Sequence, residues 1–263
     1  MRCVNERPVV RHAIILGLNT ESDRHRASGK RAATPQSPPS QLPIIAIADI
    51  LTGMSFEEPN SLQIRVTLAG IEPAVWRRLI VPRSFHLGQL HRVIQAAFGW
   101  WDCHLHEFLI GGLSYRAAEA CEPEFEDDAC SFDESGVRLR DFNLNEGLSF
   151  LYVYDFGDNW KHVIEFERLL ALEPAPRGAN CIDGARARPP EDVGGVHGYA
   201  GFLDIITDPD HPEHRDTETW AGGHFDPEWF DNETTDKDVR NALRANRRIR
   251  LHQPNPKRQG RSR

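Results

Sequence analysis

The clearest hydrophobic pattern in the chain lies between residues 62 and 81, where two apolar runs flank a short turn. In the first run, apolar and polar positions alternate with the two-residue period of a strand that buries one face. Its apolar positions are Leu62, Ile64, Val66 and Leu68. The second run, 75–81, follows a turn at 70–73 and stops at Pro82. The two runs therefore predict an antiparallel hairpin.

The spacing becomes helical over residues 85–98, where apolar positions recur every three or four residues. Ser84 is suited to cap the start of this helix and Gly99 to end it. Residues 102–110 then return to the alternation of a strand. Because side chains two positions apart point the same way, one face of that strand would carry His104, His106 and Phe108.

The densest group of aromatic and acidic residues is 152–162, which lies between two further alternating runs. This arrangement predicts a second hairpin whose tip is Gly157-Asp158-Asn159. In this register Asp155 lies where the first strand enters the turn. His162 and Trp160 lie on the apolar face of the second strand.

Weaker patterns cover the rest of the chain. Residues 173–198 are rich in Pro, Gly and Arg, which argues against regular structure. The acidic segment 119–134 indicates a solvated loop. A short helix is predicted over 199–207, and a last helix is predicted to begin with the capping order of Thr235 and Asp238.

These elements predict one α+β domain over residues 58–246, in which antiparallel β-hairpins pack against a few α-helices. Residues 1–57 lack apolar periodicity and are predicted to be a disordered extension. They would be a mis-assigned extension if Met54, which directly precedes the patterned region, is the start of the protein. Residues 247–263 are predicted to be a basic disordered tail.

Charge is segregated along the chain, whose net charge is −8. The C-terminal residues 241–263 are basic and contain no acidic residue, so the central region is strongly acidic. An acidic surface repels polyphosphate, which argues against a broad nucleic-acid-binding face on the domain. The five cysteines include no Cys-x-x-Cys pair, and no apolar run is long enough for a signal peptide or a membrane span. We therefore expect a cytoplasmic protein without a membrane partner.

Five motifs in one order resemble the plasmid pRiA4b ORF-3 family. They are Pro73-Ala74-Val75-Trp76-Arg77, Trp100 with His104-Leu105-His106, the stretch from Tyr154 to His162, Pro189-Pro190-Glu191-Asp192-Val193-Gly194-Gly195, and Phe225-Asp226-Pro227-Glu228. The resemblance implies an α+β fold and a bacterial protein carried by plasmids, chromosomes or transposable elements, with no established activity. Cysteines that members often carry around the Pro-Pro-Glu-Asp motif are replaced here by Arg188 and Val193.

One hypothesis for a site is a divalent transition metal bound by His104, His106, His162 and Asp155. First-row metals accept such mixed sets of nitrogen and oxygen ligands. The wider set of candidate residues is His104, His106, Asp155, Asp158, Trp160, His162, Glu191 and Asp192. The alternative is a scaffold, in which the histidines are hydrogen-bonded in the interior and the aspartates close turns.

These features leave three functions open. The favoured one is an uncharacterised accessory or binding domain, associated with a plasmid or transposable element and without demonstrated catalysis. A second is a metal-dependent, hydrolase-like enzyme that uses the His and Asp cluster. A third is weak nucleic-acid binding through the basic tail, by Arg244, Arg247, Arg248 and Arg250. Whether the protein is an enzyme stays open at this point, because the chain contains no complete catalytic motif.

Overall fold

The computed structural model describes residues 58–120, 131–245, 247 and 249–254. The extension 1–57, with Met54, lies outside these residues. So do Arg248 and the part of the basic tail beyond residue 254.

A single sheet of eight strands forms the centre of the described domain. The strands are β1 (Ser61–Leu68), β2 (Trp76–Pro82), β3 (His106–Ile110), β4 (Leu113–Arg116), β5 (Ser131–Asp133), β6 (Ser149–Tyr154), β7 (Trp160–Leu170) and β8 (Asn180–Ala185). Their order across the sheet is β5-β4-β3-β6-β7-β1-β2-β8. All neighbours are antiparallel except the parallel pair of β4 and β5.

Four α-helices accompany this sheet in the described residues, namely α1 (Leu87–Phe98), α2 (Gly195–Thr207), α3 (His214–Trp220) and α4 (Asn232–Arg240). The helix α4 packs against both α1 and β8, and α3 packs against α2. The predicted α+β class is therefore confirmed. None of these helices combines the length and the apolar composition that a membrane crossing requires.

Both predicted hairpins are confirmed, and they lie next to each other in the sheet. In the first, the alternating side chains of β1 are buried, as the period predicted. In the second, Tyr152 pairs with His162 and Tyr154 pairs with Trp160. All four of these side chains are fully buried. Residues 155–159 make the turn, so the predicted tip Gly157-Asp158-Asn159 is part of it.

The helix α1 shows how local sequence sets an element's ends. Its cap is His86 and not Ser84, since the His86 side chain accepts from the Gln89 amide while the Gln89 side chain accepts from the His86 amide. Imidazole here replaces the usual hydroxyl or carboxylate of such a capping box. Gly99 ends the helix in the left-handed conformation, at φ 79°, as predicted.

Several predictions for the weakly patterned segments were wrong. The segment 173–198 contains β8 and the first residues of α2. The strand β8 forms because it completes the open edge of β2, which outweighs its own weak β propensity. The last helix begins earlier than predicted, because the Asp231 side chain caps it by accepting from the Thr234 amide at 2.6 Å.

The acidic segment 119–134 also departs from the predicted loop at its described end. Residues 131–133 form β5, and the following residue, Glu134, is buried. The Glu134 carboxylate pairs with the His106 ring, which compensates the burial of its charge.

Gly195, the first residue of α2, lies in close contact with the turn between β6 and β7. Gly195 has φ 67°, and a Cβ at this position would lie 2.6 Å from the carbonyl oxygen of Asp158. We expect Gly195→Ala to destabilise the protein by about 1–3 kcal/mol, measured by urea unfolding, because it combines backbone strain with a clash.

Gly201 is a matched control in the same helix, since a Cβ there meets no atom within 4 Å. We expect Gly201→Ala to raise stability by up to about 1 kcal/mol, through helix propensity alone. Equal effects of the two substitutions would show that the contact at Gly195 does not constrain the fold.

Candidate metal centre

The imidazole of His104 faces three carboxylates that come from two other parts of the chain. Its Nε2 lies 3.3 Å from Asp192 Oδ1, 3.6 Å from Asp155 Oδ2 and 3.9 Å from Glu191 Oε2. His104 lies just before β3 and not within it. The geometry of the strand therefore does not fix the direction of its side chain, which points toward the tip of the β6–β7 hairpin.

Asp155 is positioned by the turn that joins β6 to β7. Its backbone adopts φ 58°, which is uncommon for a residue with a side chain. The Oδ1 atom accepts hydrogen bonds from the amides of Gly157 and Asp158, at 2.9 and 3.3 Å. One oxygen thus closes the turn, and the other, Oδ2, is left to face His104.

The loop that carries Glu191 and Asp192 is fastened to the same hairpin tip. The Asp158 carboxylate accepts a hydrogen bond from the Gly194 amide at 3.1 Å. Asp192 adopts φ 57° and remains largely exposed. The predicted site residue Asp158 therefore holds two segments together and does not itself belong to the group around His104.

Glu191 is the most buried member of the group, since its side chain has no exposure to solvent. Its Oε1 accepts a hydrogen bond from the Trp101 amide at 2.6 Å. Its Oε2 is buried and makes no hydrogen bond, and the same is true of His104 Nε2. Burial raises the pKa of Glu191 above its ordinary value, although the Trp101 amide opposes this shift.

The distances fit a shared metal ion. Zinc binds His nitrogen and carboxylate oxygen at about 2.0–2.2 Å, so two ligands of one ion lie at most ~4.2–4.4 Å apart. All three separations from His104 Nε2 are shorter than this limit. His104, Asp155 and Asp192 have ligand atoms that all lie within 4.8 Å of one another, whereas Glu191 does not belong to this set. One imidazole with two carboxylates suits a first-row divalent ion.

Cys103 adjoins the group and forms a second set of ligand atoms with His104 and Glu191. Its thiol lies 3.8 Å from the Tyr154 hydroxyl. Burial raises the pKa of Cys103, which disfavours the thiolate that a metal requires. The carboxylates are therefore the readier ligands. Its position directly before His104 in the sequence was the signal that could have indicated this residue.

Comparison with known proteins identifies the family. The model of the plasmid pRiA4b ORF-3-like proteins matches residues 60–234. The chain belongs to this family. The match includes every member of the His104 group, and the resemblance inferred from the five motifs is confirmed.

Two related proteins match the present chain over most of their own length. The uncharacterised protein y4hQ of Sinorhizobium fredii is 38% identical over 162 residues, which are 61% of this chain and 80% of that protein. The crystal structure of the protein of unknown function MM3350 from Methanosarcina mazei Go1 has a TM-score of 0.59 and 35% identity. It covers 66% of this chain and 97% of the other. Family and relatives are uncharacterised, and no catalysis has been demonstrated for them.

His106 lies apart from the His104 group in this pRiA4b ORF-3-like domain. Its Nε2 lies 2.9 Å from Glu134 Oε2, and its ring stacks on that of His91 with centroids 3.5 Å apart. His91 in turn contacts the Tyr152 hydroxyl and Asp102, each at 2.8 Å. The structure therefore places His106 in a buried polar network beside α1.

His162 also lies apart from the group, within the core. Its Nε2 accepts from the Trp100 indole at 3.1 Å, and its Nδ1 donates to the Trp160 carbonyl oxygen at 3.1 Å. Both ring nitrogens are thus occupied, and neither is available to a metal. Burial lowers the pKa of His162 to about 4.

The arginines of the tail are largely turned toward the domain. Arg247 lies 3.9 Å from Asp102 and Arg250 lies 3.7 Å from Asp238, while both Arg244 and Arg250 are exposed. Arg248 lies outside the described residues. Pairing with these carboxylates reduces the positive charge that the described tail offers to phosphate.

The buried His162 makes stability depend on pH. Its folded pKa, about 4, is below its ordinary value of 6.5, so only the unfolded chain binds this proton between the two values. Stability is therefore lost as the pH falls through that range, by about 3 kcal/mol for this residue.

We expect His162→Gln to reduce the loss of stability between pH 6.5 and pH 4, by about 3 kcal/mol, in urea unfolding at a series of pH values. His91, whose pKa burial also lowers, is present in both proteins and cancels in the comparison. Parallel pH profiles of the two proteins would contradict the assignment.

Proposed function

We propose that this protein binds one divalent transition metal ion at His104, which shares one set of ligand atoms with Asp155 and Asp192 and a second with Glu191 and Cys103, and that its role is that of a binding domain. The observation that carries the proposal is the pair of buried, unpartnered atoms His104 Nε2 and Glu191 Oε2. Buried polar atoms in folded proteins nearly always have a partner. A metal ion between the two would supply it for both.

A simple ion pair explains the group less well. One imidazole offers at most a single positive charge to three carboxylates, whose like charges repel one another at such distances. The separations of 3.3–3.9 Å are also longer than charge-assisted hydrogen bonds. A divalent cation offsets more of the negative charge and accounts for the longer separations.

A metal-dependent hydrolase is the second candidate function. It is supported by a cavity of about 320 Å³, because Glu191 and Asp192 line this cavity as well as facing His104. A bound ion would therefore border a space of the size that holds small ligands. When bound there, such an ion supplies a Lewis acid and an activated water.

We further propose a reducing compartment, the cytoplasm. Among the described residues, Cys103 and Cys181 are both free thiols. Free cysteines are typical of proteins in the cytoplasm. Association with a plasmid or transposable element stays an expectation from the family.

Titration with Zn²⁺ tests the metal centre. We expect purified protein, freed of metal by a chelator, to bind about one equivalent. His104→Ala and Glu191→Gln should each weaken this binding by at least about 10- to 100-fold, the loss seen even for residues that only support a ligand. His211→Ala, in the turn before α3, is the matched control and should bind as the wild type does.

Stability of the metal-free protein gives a second readout for Glu191→Gln. We expect this substitution to stabilise the metal-free protein near neutral pH, because it replaces a buried carboxylate oxygen that lacks a hydrogen bond. Loss of metal affinity together with a gain in stability is typical of a ligand held in place for function. Unchanged Zn²⁺ affinity in both variants would reject the metal centre.

A further inference from the structure

The cavity beside the proposed metal centre combines aromatic walls with arginines. Its lining includes Arg77, which is buried, and Arg188, which is half-buried. Its volume of about 320 Å³ falls at the lower end of the range for small-molecule sites. The aromatic part of the lining includes Trp101, Trp220, Phe225 and Trp229.

Arg77 is a buried charge that lacks an anionic partner in the described part of the chain. Its guanidinium donates to the carbonyl oxygens of Trp76, Ala97, Ala185 and Arg186. It also lies over the rings of Phe98 and Phe230. These contacts satisfy its hydrogen bonds, but none of them neutralises its positive charge.

Arg188 is half-buried, and its guanidinium retains donors. Its Nε and Nη2 donate to the Gly99 carbonyl oxygen at 3.2 and 3.1 Å, and its Nη1 donates to the Pro189 carbonyl oxygen. A guanidinium has five N–H groups, so two remain uncommitted. Among the described residues no carboxylate forms a direct ion pair with it. Burial lowers its pKa to about 10, and the nearby Glu191 carboxylate opposes this shift.

Three carboxylates also line the cavity, those of Glu191, Asp192 and Asp238. Asp238 lies 3.7 Å from Arg250, and the Glu191 carboxylate favours the charged form of Arg188. Arg77 forms an ion pair with none of them, and Arg188 keeps two N–H groups free of hydrogen bonds at the apolar wall. A buried charge such as that of Arg77 is unfavourable unless an anion compensates it.

We propose that this cavity binds a small aromatic carboxylate, whose anionic group pairs with Arg188 and whose ring packs among the tryptophans. Guanidinium matches a carboxylate in charge and in geometry, since two parallel N–H groups meet two oxygens. Aromatic side chains stack on a planar ligand at little cost in conformational entropy. The proposal goes beyond metal binding and does not require it.

The C-terminal segment 249–254 closes one side of this cavity. The Trp101 indole donates to the Leu251 carbonyl oxygen at 2.9 Å, and the His252 ring packs edge-on against Trp101. Gln253 bonds both the amide and the carbonyl oxygen of Asp226, at 2.9 Å each. The segment lies beyond residues 60–234, which match the family model.

Calorimetric titration with benzoate, benzamide and acetate tests the proposal on the full chain. Benzamide keeps the ring and removes the charge, while acetate keeps the charge and removes the ring. We expect benzoate to bind at least about tenfold more tightly than benzamide or acetate, because only benzoate has both the ring and the carboxylate. Equal affinities for benzoate and benzamide, or no binding of benzoate at about 10 mM, would overturn it.

Two variants locate the site. Arg188→Gln should lower the affinity for benzoate by about tenfold or more and leave the affinity for benzamide unchanged. Arg215→Gln, on the exposed face of α3, should alter neither affinity. Trp229→Leu should lower both affinities alike, and it provides a second test if Arg188→Gln fails to fold. Unaltered benzoate affinity in both cavity variants would place the binding elsewhere and reject the proposal.

The ligand titrations are run on metal-free and on Zn²⁺-loaded protein, so that failure of one proposal can be told from failure of the other. A preference for benzoate in protein that binds no Zn²⁺ would support the ligand cavity and reject the metal centre. Zn²⁺ binding without a preference for benzoate would support the metal centre and reject the ligand cavity.

Discussion

The tip of the β6–β7 hairpin lies against the loop that precedes α2, and the candidate site depends on this contact. The Asp158 carboxylate bonds the Gly194 amide, and Gly195 has no room for a side chain beside the Asp158 carbonyl oxygen. Asp155 is on one side of the contact, and Glu191 and Asp192 are on the other. A rigid junction between two segments can thus hold carboxylates together that would otherwise repel each other.

A packed group of aromatic side chains adjoins the hairpin tip. Trp100 contacts Tyr154, Trp160 and His162, with ring centroids 5.4–6.0 Å apart. The indole of Trp100 is hydrogen-bonded to His162, so this aromatic group contains a specific polar contact as well as apolar area. Such packing fixes rotamers, and fixed rotamers are what a binding site needs in the residues that support it.

Several groups in this region are placed where they reduce stability. Glu191 has a buried oxygen without a hydrogen bond, and the buried charge of Arg77 forms no ion pair with a carboxylate of the described residues. Asp155 and Asp192 both adopt left-handed backbone conformations. Strain and unpaired charge are uncommon in folded proteins and concentrate at functional sites. Their convergence on the junction and its neighbouring cavity supports assigning both to binding.

Sequence alone determined the two hairpins, α1 and the α+β class, because alternation and helical spacing show which face of an element is buried. It also indicated His104, Asp155, Glu191 and Asp192 as candidates, through their motifs. Tertiary structure decided which candidates meet. His106 and His162 have the same chemistry as His104, but sheet register places one beside Glu134 and the other under Trp100. Spacing along the chain carries no information about such long-range pairing. It could not indicate β8 either, because this strand forms by pairing with the edge of β2.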